Sequence, residues 1–288
     1  MNNTDTAPNS TTVTLSIRND VIFKKVFSQK KIIQPFLEDV TKQKLDDIRI
    51  VNAEKTVYPS ARARYNRFDV CLLNSGDVYD TEMQTGKFED IIERAMHHAS
   101  VLEVENTPKG LLDMRDIEDV WVIFICTDDA LKTGERKYEL EVQVKDHPEI
   151  EVPQYRHIII LNAKGKKGDA GGERVNGFLD YLDTLKNPGN NEFVNDVDSE
   201  VEEAKKDPST REAAMTLEQM MYGKQQEGLK QGREEGRKEG RKEGREAGIA
   251  EIIYRLSKKG RTAEEIAELL DMDEAKVLAY IQQGSGKD

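Results

Sequence analysis

The stretch "RFDVCLLNSGDVYDTEMQTG", residues 67–86, sets acidic side chains inside an otherwise apolar hairpin. Ser75-Gly76, or the four residues Asn74 to Asp77, supplies the turn, and either choice centres the hairpin between positions 75 and 76. In that register Asp69 lies across from Glu82, Arg67 across from Gln84 and Cys71 across from Asp80, all on one face because strand side chains alternate. Phe68, Val70 and Leu72 meet Met83, Thr81 and Tyr79 on the other, which leaves one core face and one carboxylate patch. Facing Cβ atoms stand about 4.5–5.5 Å apart, where like charges destabilise each other unless a positive charge sits between them. A divalent cation meets that need: Mg²⁺ takes oxygen ligands at roughly 2.1 Å, activates water and stabilises charge on an attacked phosphodiester. A solvated hairpin face whose acids point to water accounts for the same residues without a metal.

The elements that must hold this hairpin are legible as periodicities. From Ser16 a helix carries Ile22, Phe23, Val26 and Phe27 at helical spacing, and "IIQPFLEDV" follows, interrupted or started afresh at Pro35. Alternating Ile48, Ile50 and Val57 predict one or two strands. Residues 87–104 place Phe88, Ile91, Ile92, Ala95, Ala99 and Leu102 on one stripe of an amphipathic helix. "DVWVIFICT" and "RHIIILN" are continuous apolar runs, the pattern of strands buried on both faces, and "GFLDYLDTL" is a closing helix. This order predicts an α/β or α+β domain with a mixed central sheet, ending near Lys186.

Outside that domain the sequence changes character. Residues 1–14 lack periodicity and are expected to be a disordered tail, and 187–212 are polar and acidic, the composition of a linker. Residues 213–248 form a low-complexity spacer with Gly at every fourth position from Gly228 to Gly248. Each Gly costs a helix roughly 1 kcal/mol, and each Glu–Lys/Arg pair returns about 0.2–0.5 kcal/mol. A solvated, partly frayed helical spacer and a small-residue stripe along which two helices approach both fit. Residues 249–283 predict short helices in a helix-turn-helix-like unit, with a capping-box signal at Thr262 and Glu265, and 284–288 form a tail. Its groove-facing residues would be Asp273, Glu274, Ala275 and Lys276, and the carboxylates there favour an oligomerising bundle over a DNA reader.

Composition bounds the partners. The chain has 288 residues, 37% of them hydrophobic, and a net charge of −12, so it repels a polyanion except where a basic patch or a metal intervenes. Lys164, Lys166 and Lys167 with Arg62, Arg64 and Arg67 are the candidates for such a patch. "AKGKKGDAGG" lacks the Gly-Lys-Ser/Thr of a phosphate loop and reads as a flexible basic loop. Cys71 and Cys126 sit in apolar runs, as reduced buried thiols do. The polar start has no signal-peptide pattern and no apolar run spans a bilayer, so a soluble, cytoplasmic protein without a membrane partner is expected.

Taken together, "RNDVIFKKVF", the hairpin, "ERAMHHASVL" and "VWVIFICTDD" resemble the Rpn recombination-promoting nucleases, also known as putative transposases, of the PD-(D/E)XK superfamily. The resemblance covers residues 15–186, and the Gly-charged repeat is similar to tails in that family. It implies a restriction-endonuclease-like mixed central sheet flanked by helices, here with an all-helical C-terminal extension. It further implies that Asp69 and Glu82 bind Mg²⁺, or Mn²⁺, with the Met83 carbonyl as a further ligand. Gln84 would stand where the superfamily signature has Lys, Asp20 would be the accessory acid, and Lys24 lies one turn further on. An amide carries no charge and takes no proton near neutral pH, so Lys24, Lys87 or Arg94 must supply the missing cation. His97 and His98 stand where the family more often has aromatics and are assigned to packing or the helix surface.

The reading is therefore a Mg²⁺-dependent DNA endonuclease that promotes recombination, with DNA as partner and self-association through the C-terminal helices. Two alternatives stand beside it: a catalytically idle interaction protein of the same fold, and a DNA-binding regulator acting through the terminal helices.

Overall fold

The side chain of Asn19 accepts hydrogen bonds from the N–H groups of Val21 and Ile22, and this cap starts α1 (Asp20–Phe27) four residues after Ser16. The computed structural model describes residues 15–51, 56–57, 66–87, 89–187 and 189–284. The expectations for 1–14, Phe88, Arg62, Arg64 and all but the first residue of the 284–288 tail therefore lie outside the described residues. α2 (Lys30–Thr41) runs through Pro35 without stopping. Ile32, Ile33, Phe36, Leu37 and Val40 form one buried face on it, and that packing outweighs a proline cost of about 3 kcal/mol.

Among the described residues eight strands follow the expected order, with one addition. β1 (Ile48–Ile50), β4 (Val70–Asn74), β5 (Asp77–Gln84), β6 (Val120–Cys126), β7 (Lys137–Leu140) and β8 (Arg156–Asn162) form a sheet in the order β1-β4-β5-β6-β8-β7. β2 (Thr56–Val57) and β3 (Asn66–Arg67) pair separately. β5, β6 and β8 run parallel, and the other pairings are antiparallel, so the sheet is mixed as expected. β7 is the addition, an edge strand of half-exposed polar residues without an apolar run to announce it.

The β4–β5 hairpin has the register read from the sequence, with Val70 opposite Thr81, Cys71 opposite Asp80 and Asn74 opposite Asp77. Ser75 and Gly76 both adopt positive φ, 54° and 110°, the pattern of a two-residue type I′ turn. The φ of Gly76 is one that L side chains rarely adopt, and a Cβ there would also have to displace the Glu118 carboxylate, 2.7 Å away.

α3 (Ile91–Asn106) carries the chain from β5 to the parallel β6 and covers one face of the sheet with Ile91, Ala95, Ala99 and Leu102. The other face lies under α1, α2, α4 (Glu173–Thr184) and α5 (Glu192–Lys206). Both faces of the hairpin are thus buried: α3 covers the carboxylate patch, and the alternative in which its acids point to water does not hold. Phe68 also changes sides, packing with Cys71 and Val78 instead of Val70 and Leu72. A bend at Asp69 interrupts the strand between β3 and β4, and the period-two alternation fails across it.

The segment 187–212, expected as a linker, is corrected too. Asn191 caps α5, whose Phe193, Val194, Val197, Val201 and Ala204 enter the main core, and the first compact unit extends to Glu218. α6 (Pro208–Lys258) is one continuous helix through the Gly repeat, and a Cβ built at Gly228, Gly232, Gly236, Gly240 or Gly244 meets nothing within 4 Å. The second unit, Gln219–Asp288, closes with α7 (Ala263–Leu270) and α8 (Glu274–Gly284). Ile253, Ile266 and Val277 form its small core, and the Thr262–Glu265 capping box is present. Among the described residues no helix is long and apolar enough to cross a membrane.

If α5 is core and not linker, Phe193→Ala removes a buried ring and is expected to cost about 3 kcal/mol in urea unfolding. A linker phenylalanine would leave the midpoint unchanged.

Candidate active site

Backbone pairing of β4 with β5 stops at Val70 and Thr81, and from there the side chains continue it. The Asp69 N–H donates to Oε1 of Glu82 at 2.7 Å, and the Met83 N–H donates to Oδ2 of Asp69 at 3.0 Å. Each carboxylate is thus held by backbone of the opposing strand. The bend at Asp69 makes this exchange possible by turning its carboxylate toward β5. Met83 places its side chain in the main core.

The free lone pairs of Asp69 meet a cation. Lys24 Nζ lies 3.0 Å from Asp69 Oδ1 and 3.0 Å from Asp20 Oδ2, one helical turn back along α1. Lys24 is buried at 7% exposure, while Asp20 remains partly exposed. Burial pulls the Lys24 ammonium down, but Asp69 and Asp20 outweigh it and hold it above its usual value. Burial also lifts Asp69, to about 6, with Lys24 opposing that rise. The helix α1 therefore delivers one buried positive charge to the splayed end of the hairpin.

A second group shares Glu82. Asp80 and Glu82, two apart on β5, project to the α3 side with Gln84, as alternation requires. Asp80 is fully buried, Glu82 is 4% exposed and Gln84 5%. Nδ1 of His98, on α3, lies 3.1 Å from Asp80 Oδ2 and 3.9 Å from Glu82 Oε1. Burial raises both carboxyls, and the mutual charge of Asp80 and Asp69 pushes Glu82 further, well above the ordinary range. Asp80 Oδ1 is buried without a hydrogen-bond partner. An orphaned carboxylate oxygen beside further carboxylates is a donor set that a divalent cation fits, and among the described residues Asp80, Glu82 and His98 are grouped closely enough to hold one ion.

The structure brings Asp20, Lys24, Asp69, Glu82 and the Met83 backbone into one connected network, and sets Gln84 on the face of Glu82. Sequence reasoning did not name Asp80 and His98 for the site. Asp80 was visible two residues before Glu82 on the same face. His98 sits at Ile91 + 7 and Ala95 + 3, on the apolar stripe, where a polar side chain is forced indoors. Its ring packs edge-on against Phe68 and Phe124, which satisfies the packing role as well.

Of the other cations weighed for the place beside Gln84, Lys87 is exposed and Arg94 is half-buried. Arg94 is felt at Cys126, the register partner of Gln84 on β6, whose thiol burial pushes up to about 12 against that positive charge. Two of the three lysines of the basic loop are paired with acids, and all three are exposed. Lys164 pairs with Asp128, Lys166 with Asp180 and Asp183, and Lys167 donates to the Thr133 carbonyl.

A family model for PD-(D/E)XK nuclease family transposases matches residues 17–239, which take in the whole network, the sheet and much of α6. No match to a curated protein was found.

Asp69, Asp80 and Glu82 all bind protons more tightly in the folded chain than in the unfolded one. Stability from such groups is fully present below the unfolded carboxylate range and is lost as pH rises through the folded values, about 6 for Asp69. In chelator, the thermal midpoint is therefore expected to fall as pH rises from about 4 to about 6, the interval between the unfolded and folded values of Asp69, and adding a divalent cation should restore it. A metal-free midpoint that rises across this window would mean that the carboxylates are solvated.

Proposed function

Because the chain belongs to the PD-(D/E)XK nuclease family transposases, we propose that it is a metal-dependent DNA endonuclease that hydrolyses phosphodiester bonds and promotes recombination. The observation that carries this reading is the interlock of Asp69 and Glu82 at the hairpin end with Lys24 against it. Asp69 and Glu82, with the Met83 carbonyl, are the residues that would hold Mg²⁺ or Mn²⁺. Such an ion, when bound, supplies an activated water and stabilises charge developing on the phosphate.

The chain's own groups do the rest. Lys24, held above its usual pKa, stays an ammonium at neutral pH, so it acts as a fixed charge and not as a base. It offers what the amide of Gln84 lacks, a positive charge near the reacting phosphate. Gln84 in turn orients water or a phosphate oxygen, since an amide both donates and accepts hydrogen bonds. Asp20 keeps the Lys24 ammonium turned toward the hairpin from one helical turn away.

Purified full-length protein with Mg²⁺ or Mn²⁺ is expected to nick plasmid DNA. Asp69→Ala and Glu82→Ala should abolish nicking, and Lys24→Met should slow it by about 10²-fold or more, the scale for losing one stabilising group from a preorganised site. Plasmid left intact by the wild-type protein in both metals would replace the nuclease with an interaction protein of the same fold.

A further inference from the structure

We propose that Asp80, Glu82 and His98 form a seat for a divalent transition-metal ion, in which His98 Nδ1 is a ligand and shifts the preference of the site away from Mg²⁺ toward Mn²⁺ and its heavier neighbours. The proposal rests on the nuclease reading only through Glu82, which belongs to both groups.

Three observations carry it. First, the donor atoms are already assembled: Nδ1 of His98 is 3.1 Å from Asp80 Oδ2 and 3.9 Å from Glu82 Oε1, and one ligand atom from each residue lies within 4.8 Å of the others. Ligands bonded at about 2.1 Å to one ion stand roughly 3.0–3.5 Å apart on adjacent positions and about 4.2 Å apart across it, so His98 and Asp80 already stand at the adjacent separation and His98 and Glu82 between the two, at 3.1 Å and 3.9 Å. Second, Asp80 is fully buried and its Oδ1 has no hydrogen-bond partner. A buried acceptor of this kind calls for a proton donor or a cation. Third, His98 is held in place from both sides, its ring at 5.1 Å from Phe68 and 5.3 Å from Phe124, so the nitrogen is aimed by packing and not by the ion.

The donor set decides the class of ion. Mg²⁺ binds oxygen and keeps its waters, whereas an imidazole nitrogen beside two carboxylates suits manganese, cobalt, nickel or zinc. Binding places the imidazole proton on Nε2 and leaves the Nδ1 lone pair to the metal. The Asp69 carboxylate, engaged by Lys24 and the Met83 N–H, lies on the other side of Glu82 in this network.

The test is Mn²⁺ binding to the full-length protein without DNA, by calorimetry and by pulsed electron paramagnetic resonance. A nitrogen coupling to bound Mn²⁺ is expected, with Mn²⁺ bound at least about tenfold tighter than Mg²⁺. His98→Phe keeps the aromatic packing, and should lose the nitrogen coupling and weaken Mn²⁺ by about tenfold or more, the scale on which even a lost outer-shell partner weakens a metal site. Asp80→Asn should weaken it similarly, and carries the test if His98→Phe does not fold. Bound Mn²⁺ without nitrogen coupling, or His98→Phe and Asp80→Asn with wild-type affinity, would overturn the seat. DNA cleavage in Mg²⁺ would then leave the nuclease reading standing. Nitrogen coupling in a protein that cuts no DNA would support the seat while removing the nuclease.

Discussion

The exchange between Asp69 and Glu82 governs the rest of this structure. Two carboxylates replace the backbone ladder where β4 and β5 part, and each is tied to the opposite strand by a peptide N–H. The exchange keeps the hairpin in register while freeing carboxylate oxygens to face inward, a combination that a continuous ladder does not allow. Its cost is electrostatic. Burying ionised carboxyls side by side is unfavourable by several kcal/mol unless cations or protons accompany them, and every neighbouring element reflects that demand.

α1 answers it from one side and α3 from the other. Lys24 brings a permanent charge to Asp69, and His98 brings an imidazole to Asp80. The same two helices supply much of the apolar cover of the sheet, so packing and charge balance are set by the same residues' neighbours. α1 cannot leave the sheet without leaving Asp69 uncompensated, and α3 cannot rotate by one residue without withdrawing His98.

The register of the hairpin was readable because turn chemistry and a period of two specify it jointly. Which side each residue took was less readable, since a single bend at Asp69 reverses the parity of everything before it, and bends leave no mark in composition. Phe68 shows this directly. α5 was concealed by its own surface: the acidic residues that solvate it outnumber the apolar ones at 193, 194, 197, 201 and 204, though their spacing is helical. Asp80 and His98 were legible by position but not by type. An acid two residues from another acid, and a histidine on an apolar stripe, acquire meaning only once α3 is known to cross that face of the sheet. Lys24 was chosen from the resemblance, and its reach to Asp69 required the angle at which α1 lies on the hairpin.

The three buried carboxyls also say something about how this sequence can change with time. Replacement of Asp80 by its amide removes a fully buried charge while keeping the shape, whereas the same change at Asp69 leaves the buried Lys24 ammonium without its partner. A change at Asp69 therefore has to be matched at Lys24, so the strand position and the helix position are tied to each other.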